Sequence, residues 1–180
     1  MNNEITNAVD VLKSGGIILY PTDTIWGIGC DACCDTAVKK VFEIKRRDHS
    51  KPLICLASSF EMVGEYVEVS NLKKLKSISK KSPTTFIFNN PNKISKYVSS
   101  NSYSIGFRVP NDNFCSELLI KFGRPIVSTS ANISGFDIPL EFNLISSEIK
   151  SKVDHIVNYG KNKESYLSLI HISEPTRRAI

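Results

Sequence analysis

Ile5, Val9 and Leu12 recur near helical spacing, and Gly15-Gly16 close that segment. Ile17–Tyr20 is a short apolar run that predicts a buried strand, stopped by Pro21. Beyond it, 21–29 is rich in turn formers and hydroxyls and reads as a loop. Asp35 is the expected N-cap of a helix whose apolar face is Ala37, Val38, Val41 and Phe42, ending in Lys45-Arg46-Arg47. Pro52 precedes a second strand at 53–57. Ser70 is the expected cap of a helix carrying Leu72, Leu75 and Ile78. Strands follow at 84–88 and 104–109, and Asn113 is the expected cap of a helix closed by Gly123. Further strands are predicted at 125–128 and 153–157, and 89–102 reads as a polar, mobile loop. Strands alternate with helices, so the class is α/β or α+β with a mostly covered sheet.

Composition narrows this little. The chain has 180 residues, 41% hydrophobic and 23% charged, enough to bury one core without disulfides or a structural metal. A net charge of +5 fits an anionic ligand or an RNA surface, but on charge alone an ordinary basic surface is the preferred reading. The polar start at 1–10 predicts no secretory signal, and no apolar run approaches the ~20 residues of a membrane span. A cytoplasmic protein with no membrane partner is expected. Five cysteines, an odd count, argue against a closed disulfide framework.

Four segments are candidates for chemistry. Gly27-Ile28-Gly29-Cys30-Asp31-Ala32 matches the spacing of a dinucleotide fingerprint, with Asp48 near the acidic offset. That motif requires its first glycine directly after a strand, and here 21–24 intervene. Tight backbone packing is therefore the expected use of these glycines. Cys30, Cys33 and Cys34 lack the second ligand pair that zinc would need, and His49, His155 and His171 offer no triad. Lys45, Arg46, Arg47 and Lys51 place four cations within seven residues. They either complement a helix dipole or clamp a phosphate or carboxylate. Ser128-Thr129-Ser130-Ala131-Asn132-Ile133-Ser134-Gly135 follows a strand and suits phosphate or ribose binding, or an ordinary turn. No Gly-rich phosphate loop, nucleophile elbow or His-Glu-x-x-His is present, so catalysis would rest on positioning and charge stabilisation.

Residues 16–32, Lys45-Arg46-Arg47 with Lys51-Pro52-Leu53, Arg108-Val109-Pro110 and 128–135 together resemble, in order and spacing, the YrdC/Sua5 family over about 5–160. The resemblance implies a short YrdC-type protein with a twisted open mixed sheet, flanking helices and a large basic cavity. It implies an L-threonylcarbamoyladenylate synthase, a nucleotidyltransferase that forms threonylcarbamoyl-AMP and pyrophosphate from L-threonine, bicarbonate and ATP. Mg2+ would accompany ATP, with no organic cofactor, and the product would serve tRNA threonylcarbamoyladenosine modification through downstream transfer proteins. It implies Thr24, Arg108 and Ser128 at threonine, and Lys45, Arg47 and Lys51 as catalytic cations. Arg47, Lys51, Ser104, Ser130 and Asn132 would hold the nucleotide.

Two departures stand out. The basic motif commonly has glycine in its middle position, where Arg46 stands here. At the other end, 161–180 lacks the family's Ser-Thr pair and closing arginine. Ser168 and Arg177 or Arg178 fall near suitable offsets in the wrong context. Ser168–Arg177 resembles a translated sequencing adaptor, so behind a domain at 1–160 an atypical tail is expected at 161–180, either non-native over its last dozen residues or genuinely divergent. The alternative reading is a non-catalytic, YciO-like paralogue that binds tRNA or double-stranded RNA. A nicotinamide oxidoreductase ranks last.

Overall fold

A computed structural model describes residues 1–100, 102–161 and 170–173. Ile17 and Leu19 point into one apolar layer and Ile18 and Tyr20 into another, as the two-residue period of a strand requires. That strand, β1, spans Ile18–Pro21, and helices cover both of its faces. On one side lies α1 (Asn2–Lys13), burying Ile5, Ala8, Val9 and Leu12. With it lies α5 (Asn113–Phe122), burying Phe114, Leu118, Leu119 and Phe122. On the other lies α2 (Asp35–Lys45), burying Val38, Val41 and Phe42.

The sheet has eight strands among the described residues, in the order β7-β1-β2-β6-β3-β5-β4-β8. The remaining strands are β2 (Trp26–Asp31), β3 (Ile54–Leu56), β4 (Thr84–Asn89), β5 (Ser104–Arg108), β6 (Ile126–Ser130), β7 (His155–Ile156) and β8 (Ile170–Ser173). Parallel pairs (β1/β7, β3/β5, β4/β8) and antiparallel pairs (β1/β2, β2/β6, β3/β6, β4/β5) make it mixed. Short helices α3 (Phe60–Val63), α4 (Leu72–Ser79) and α6 (Ser147–Lys152) and a 3-10 turn at Phe142–Leu144 complete the elements among the described residues.

The structure corrects several local expectations. The second half of the expected loop at 21–29 is strand β2, paired with β1 in a hairpin. Gly27 and Gly29 therefore lie within a strand, which removes the dinucleotide reading. They are small for steric reasons. A Cβ on Gly29 would stand 2.7 Å from the Tyr20 ring and 3.0 Å from Ile126 Cγ2. We expect Gly29→Ala to cost about 1–3 kcal/mol in urea unfolding, the range for forcing extra volume into a filled core.

Each expected cap shifts by one residue. Cys34 precedes α2 without a side-chain bond, whereas Asn71 accepts from Lys74 N and Asp112 from Cys115 N. The strand expected at 153–157 is only His155–Ile156. The stretch 89–102, expected to be mobile, is tied to the body: Leu53 N donates to Val98 O, Ser95 N to Ala32 O and Asn92 N to Tyr66 O. Of the tail, only residue 161 and 170–173 are described, and β8 pairs in parallel with β4. The residues offered there, Ser168 and Arg177 or Arg178, lie outside the described residues.

The left-handed end of α2 accounts for the glycine expected at position 46. Arg46 has φ +48°, a region L-residues enter at a cost of about 1–2 kcal/mol. Its Nη2 pairs with Glu148 Oε1 at 2.6 Å, but 63% of the side chain is exposed, so this bridge is worth little. Arg46→Gly should therefore raise Tm by about 2–4 °C, the shift that ~1 kcal/mol gives in a chain of this size. A lower Tm would mean that the Glu148 bridge outweighs the backbone strain.

Candidate active site

The cavity is built from strand register. Gly27 pairs with Ser130 and Gly29 with Ser128 across β2/β6. Ser128 pairs with Ile54, Ile54 with Gly106, and Leu56 with Arg108. The two-residue period puts Gly27, Ser128, Ser130, Ile54, Gly106 and Arg108 on one face. Of its glycines, Gly27 borders the open space, where a Cβ would meet Ser128 Oγ at 3.2 Å and Thr22 Cγ2 at 3.3 Å. The floor is walled by Thr22 and Thr24 of the hairpin turn, by Arg47, Pro52 and Leu53 after α2, and by Ile138. The cavity holds about 200 Å³.

The turn is set by one hydroxyl. Thr22 Oγ1 accepts from Thr24 N (3.1 Å) and Ile25 N (3.2 Å) and donates to Ile25 O (2.7 Å). It also lies 3.1 Å from Thr24 Oγ1. Arg108 Nη1 reaches Thr24 Oγ1 at 3.4 Å, and Nη2 stands 3.1 Å from Asp23 Oδ1. Both side chains of this ion pair are buried, at 3% and 6% exposure. The contact is ionic rather than hydrogen-bonded: Arg108 Nε and both Asp23 oxygens have no hydrogen-bond partner. The Tyr20 hydroxyl is buried next to Ser128, and burial raises its pKa far above the usual phenol value.

The structure thus brings together Thr24, Arg47, Arg108, Ser128 and Ser130. Arg47 is anchored there by donating to Lys51 O (3.2 Å) and Pro52 O (2.9 Å). Four expected residues sit elsewhere. Lys51 is exposed outside the lining. Ser104 starts β5, four residues before Arg108 or about 13 Å along the strand.

Lys45 is 1% exposed, and its ammonium faces the chain after β6 rather than the cavity. It donates to Ser130 O (2.5 Å), Asn132 O (2.7 Å) and Asn132 Oδ1 (3.2 Å). Asn132 Oδ1 also accepts from Ser130 Oγ at 2.5 Å, and its amide nitrogen donates to Phe136 O. Asn132 lines a neighbouring hollow of about 340 Å³ with Arg46, Phe136 and Glu148. Burial and the Arg47 charge lower Lys45 to about 7, against the pull of its three oxygen partners.

Residues that sequence reasoning missed are Asp23, Thr22, Thr129 and the apolar wall of Pro52, Leu53, Ile54 and Ile138. Asp23 could have been flagged as the one charge in a run otherwise made of prolyl and hydroxyl residues. Burial raises the Cys30, Cys55 and Cys115 thiols and pushes Cys33 up to about 11, which removes a thiolate role from all four. Among the described residues no cluster of His, Cys, Asp and Glu could hold a metal ion, and no helix is long and apolar enough to cross a membrane.

A family model for Sua5, YciO and YrdC, described as "Telomere recombination", matches residues 10–175. A threonylcarbamoyl-AMP synthase of Psychromonas ingrahamii is 33% identical over 153 residues, which are 83% of this chain and 80% of that one. A threonylcarbamoyl-AMP synthase of Klebsiella pneumoniae is 36% identical over 144 residues, 75% and 76% of the two chains. P. abyssi Sua5, solved with L-threonine, superposes with a TM-score of 0.82 at 24% identity. The superposition covers 93% of this chain and half of that longer one. E. coli YciO superposes at 0.81 with 23% identity, over 98% and 87%. At these identities the two structures show the fold.

Proposed function

The chain belongs to the Sua5/YciO/YrdC family, and from that premise we propose that it is a threonylcarbamoyl-AMP synthase, joining L-threonine, bicarbonate and ATP. The observation that carries the reading is convergence. Polar side chains from four separated motifs, Thr24, Arg47, Arg108 and the Ser128/Ser130 pair, line one small cavity. About 200 Å³ lies below the ~300–1,000 Å³ of typical drug-sized pockets and suits the amino acid. The nucleotide would extend outward past Arg47 and the Ser130–Asn132 turn.

Threonine sits with its carboxylate toward Arg108 and its polar groups against Thr24 and Ser128. Its ammonium gives up a proton, and the free amine takes up CO2, formed from bicarbonate with loss of water, as a carbamate, releasing a second proton. One of the two protons is consumed in dehydrating the bicarbonate. A carbamate oxygen attacks the α-phosphorus of ATP, and the bond to the departing pyrophosphate breaks. Arg47 faces the charge that grows on that leaving group, with Lys51 at the rim. Lys45 holds the Ser130–Asn132 turn in shape rather than touching phosphate. Ser104 would meet only the outer part of the nucleotide. The lining carries no carboxylate for a metal, so Mg2+ would arrive on the triphosphate, where it neutralises phosphate charge. The product passes to a transfer step on tRNA.

Purified protein given ATP and bicarbonate should release pyrophosphate only when threonine is added, and ATP should bind more tightly with threonine present. Threonine-independent release rejects the reading. RNA affinity that falls steeply with salt, without pyrophosphate release, would instead favour the RNA-binding alternative.

A further inference from the structure

Arg108, 3% exposed, lines the buried side of the cavity, and Asp23 Oδ1 stands 3.1 Å from its Nη2. Asp23 does not line the cavity, and its two oxygens are buried without hydrogen bonds. A carboxylate in that state is costly unless its charge does something for its neighbour. Nothing else fixes the guanidinium firmly: its one hydrogen bond in the described structure is the long 3.4 Å contact to Thr24. The pair is also close to neutral, whereas Arg47 at the outer end has no carboxylate within ion-pair reach among the described residues.

We infer that Asp23 is a positioning and specificity residue, holding the Arg108 fork toward the cavity and cancelling its charge so that the inner end accepts a zwitterionic amino acid and turns away a polyanion. The inference rests on the proposed threonine site. A free arginine on the buried side would attract phosphate oxygens in the bidentate manner guanidinium favours. ATP or pyrophosphate could then bind the wrong way round. With Asp23 in place, a zwitterion of zero net charge loses little on entering, while a multiply charged phosphate meets the buried carboxylate at short range.

The test compares wild type, Asp23→Asn and Asp23→Glu in pyrophosphate-release kinetics and in titrations with threonine and with inorganic phosphate. Asp23→Asn should raise the threonine KM about 10–100-fold with kcat changed less than about threefold, because a misaimed fork weakens binding more than it alters the reacting atoms. Inorganic phosphate, which should not compete with threonine in wild type, should become a competitor at the Arg108 end. Asp23→Glu keeps the charge but displaces it. Its threonine KM should rise several-fold while phosphate still fails to compete.

An Asp23→Asn protein that folds but shows an unchanged threonine KM and no phosphate competition overturns the inference. Equal losses in both variants without phosphate competition mean that Asp23 is merely structural, and do the same. If Asp23→Asn does not fold, Asp23→Glu decides alone: an unchanged KM overturns the inference. A wild type with no threonine-dependent release fails the proposed function instead. The phosphate titration then still judges Asp23, since a difference between wild type and variants needs no turnover.

Discussion

Replacing Arg108 with methionine should destabilise the fold by about 3–5 kcal/mol and abolish threonine-dependent pyrophosphate release. Removing one partner of a buried ion pair costs about this much because the other charge stays behind in the interior. Here the orphan would be Asp23, 6% exposed and already without a hydrogen bond. The double variant Arg108→Met/Asp23→Asn should recover part of the loss, since the amide carries no charge to strand. Urea unfolding of the four chains in a double-mutant cycle measures the coupling. A single Arg108 variant as stable as wild type would show that the Asp23 side chain is accommodated without its partner at no cost. Release of pyrophosphate by the folded Arg108 variant at the wild-type threonine KM would remove Arg108 from the substrate site.

The second large effect is expected at Lys45. Lys45→Met should weaken ATP binding by about 10–100-fold although the side chain does not line the cavity. The ammonium holds Ser130 O, Asn132 O and Asn132 Oδ1, and Ser134 N donates back to the Lys45 carbonyl at 2.8 Å. Methionine leaves Asn132 O without its donor, at about 1–3 kcal/mol where no water replaces it, while Ser130 O keeps Asn132 N and Asn132 Oδ1 keeps Ser130 Oγ; it also loosens the turn that presents Ser130.

Stability also carries a pH signature. The folded pKa, lowered to about 7, lies below the usual lysine value of ~10.4. The unfolded chain therefore binds more protons than the folded one between these limits. Stability contributed by Lys45 is complete above the unfolded value and falls as pH drops from about 10.4 towards 7. The stability advantage of wild type over Lys45→Met should thus grow from pH 7 to pH 10. The three oxygens favour the charged form, which makes the slope shallower than burial alone would give. A difference that shrinks with pH reverses the assignment.

Much of the architecture is written in local pattern. The apolar runs at Ile17–Tyr20 and Thr84–Phe88 and the helical face of Val38, Val41 and Phe42 need only their own neighbours to be read. Strand β2 escaped because Gly27 and Gly29 have poor strand propensity. Packing of Gly29 beneath the Tyr20 ring overrides that preference, and the ring belongs to another strand. The hydroxyls of the site were visible as dense runs. Asp23 was not, because its meaning depends on Arg108, 85 positions away and brought near by sheet register. Lys45 misled in the opposite direction. A lysine in the last turn of a helix ordinarily reads as a solvated dipole partner, and only the path of the chain after β6 shows that its tip is enclosed.

The strand order has a consequence for biosynthesis. The hairpin of β1 and β2 leaves the ribosome early, but its neighbour β6 begins only at Ile126. At usual elongation rates the unpaired side of β2 waits roughly 5–20 s for its partner. Until then Ile28 and Trp26 lie beside an open row of amides, the kind of edge that recruits other nascent chains. We expect truncation before residue 126 to yield insoluble product that binds trigger-type chaperones, and solubility to appear abruptly once β6 can insert.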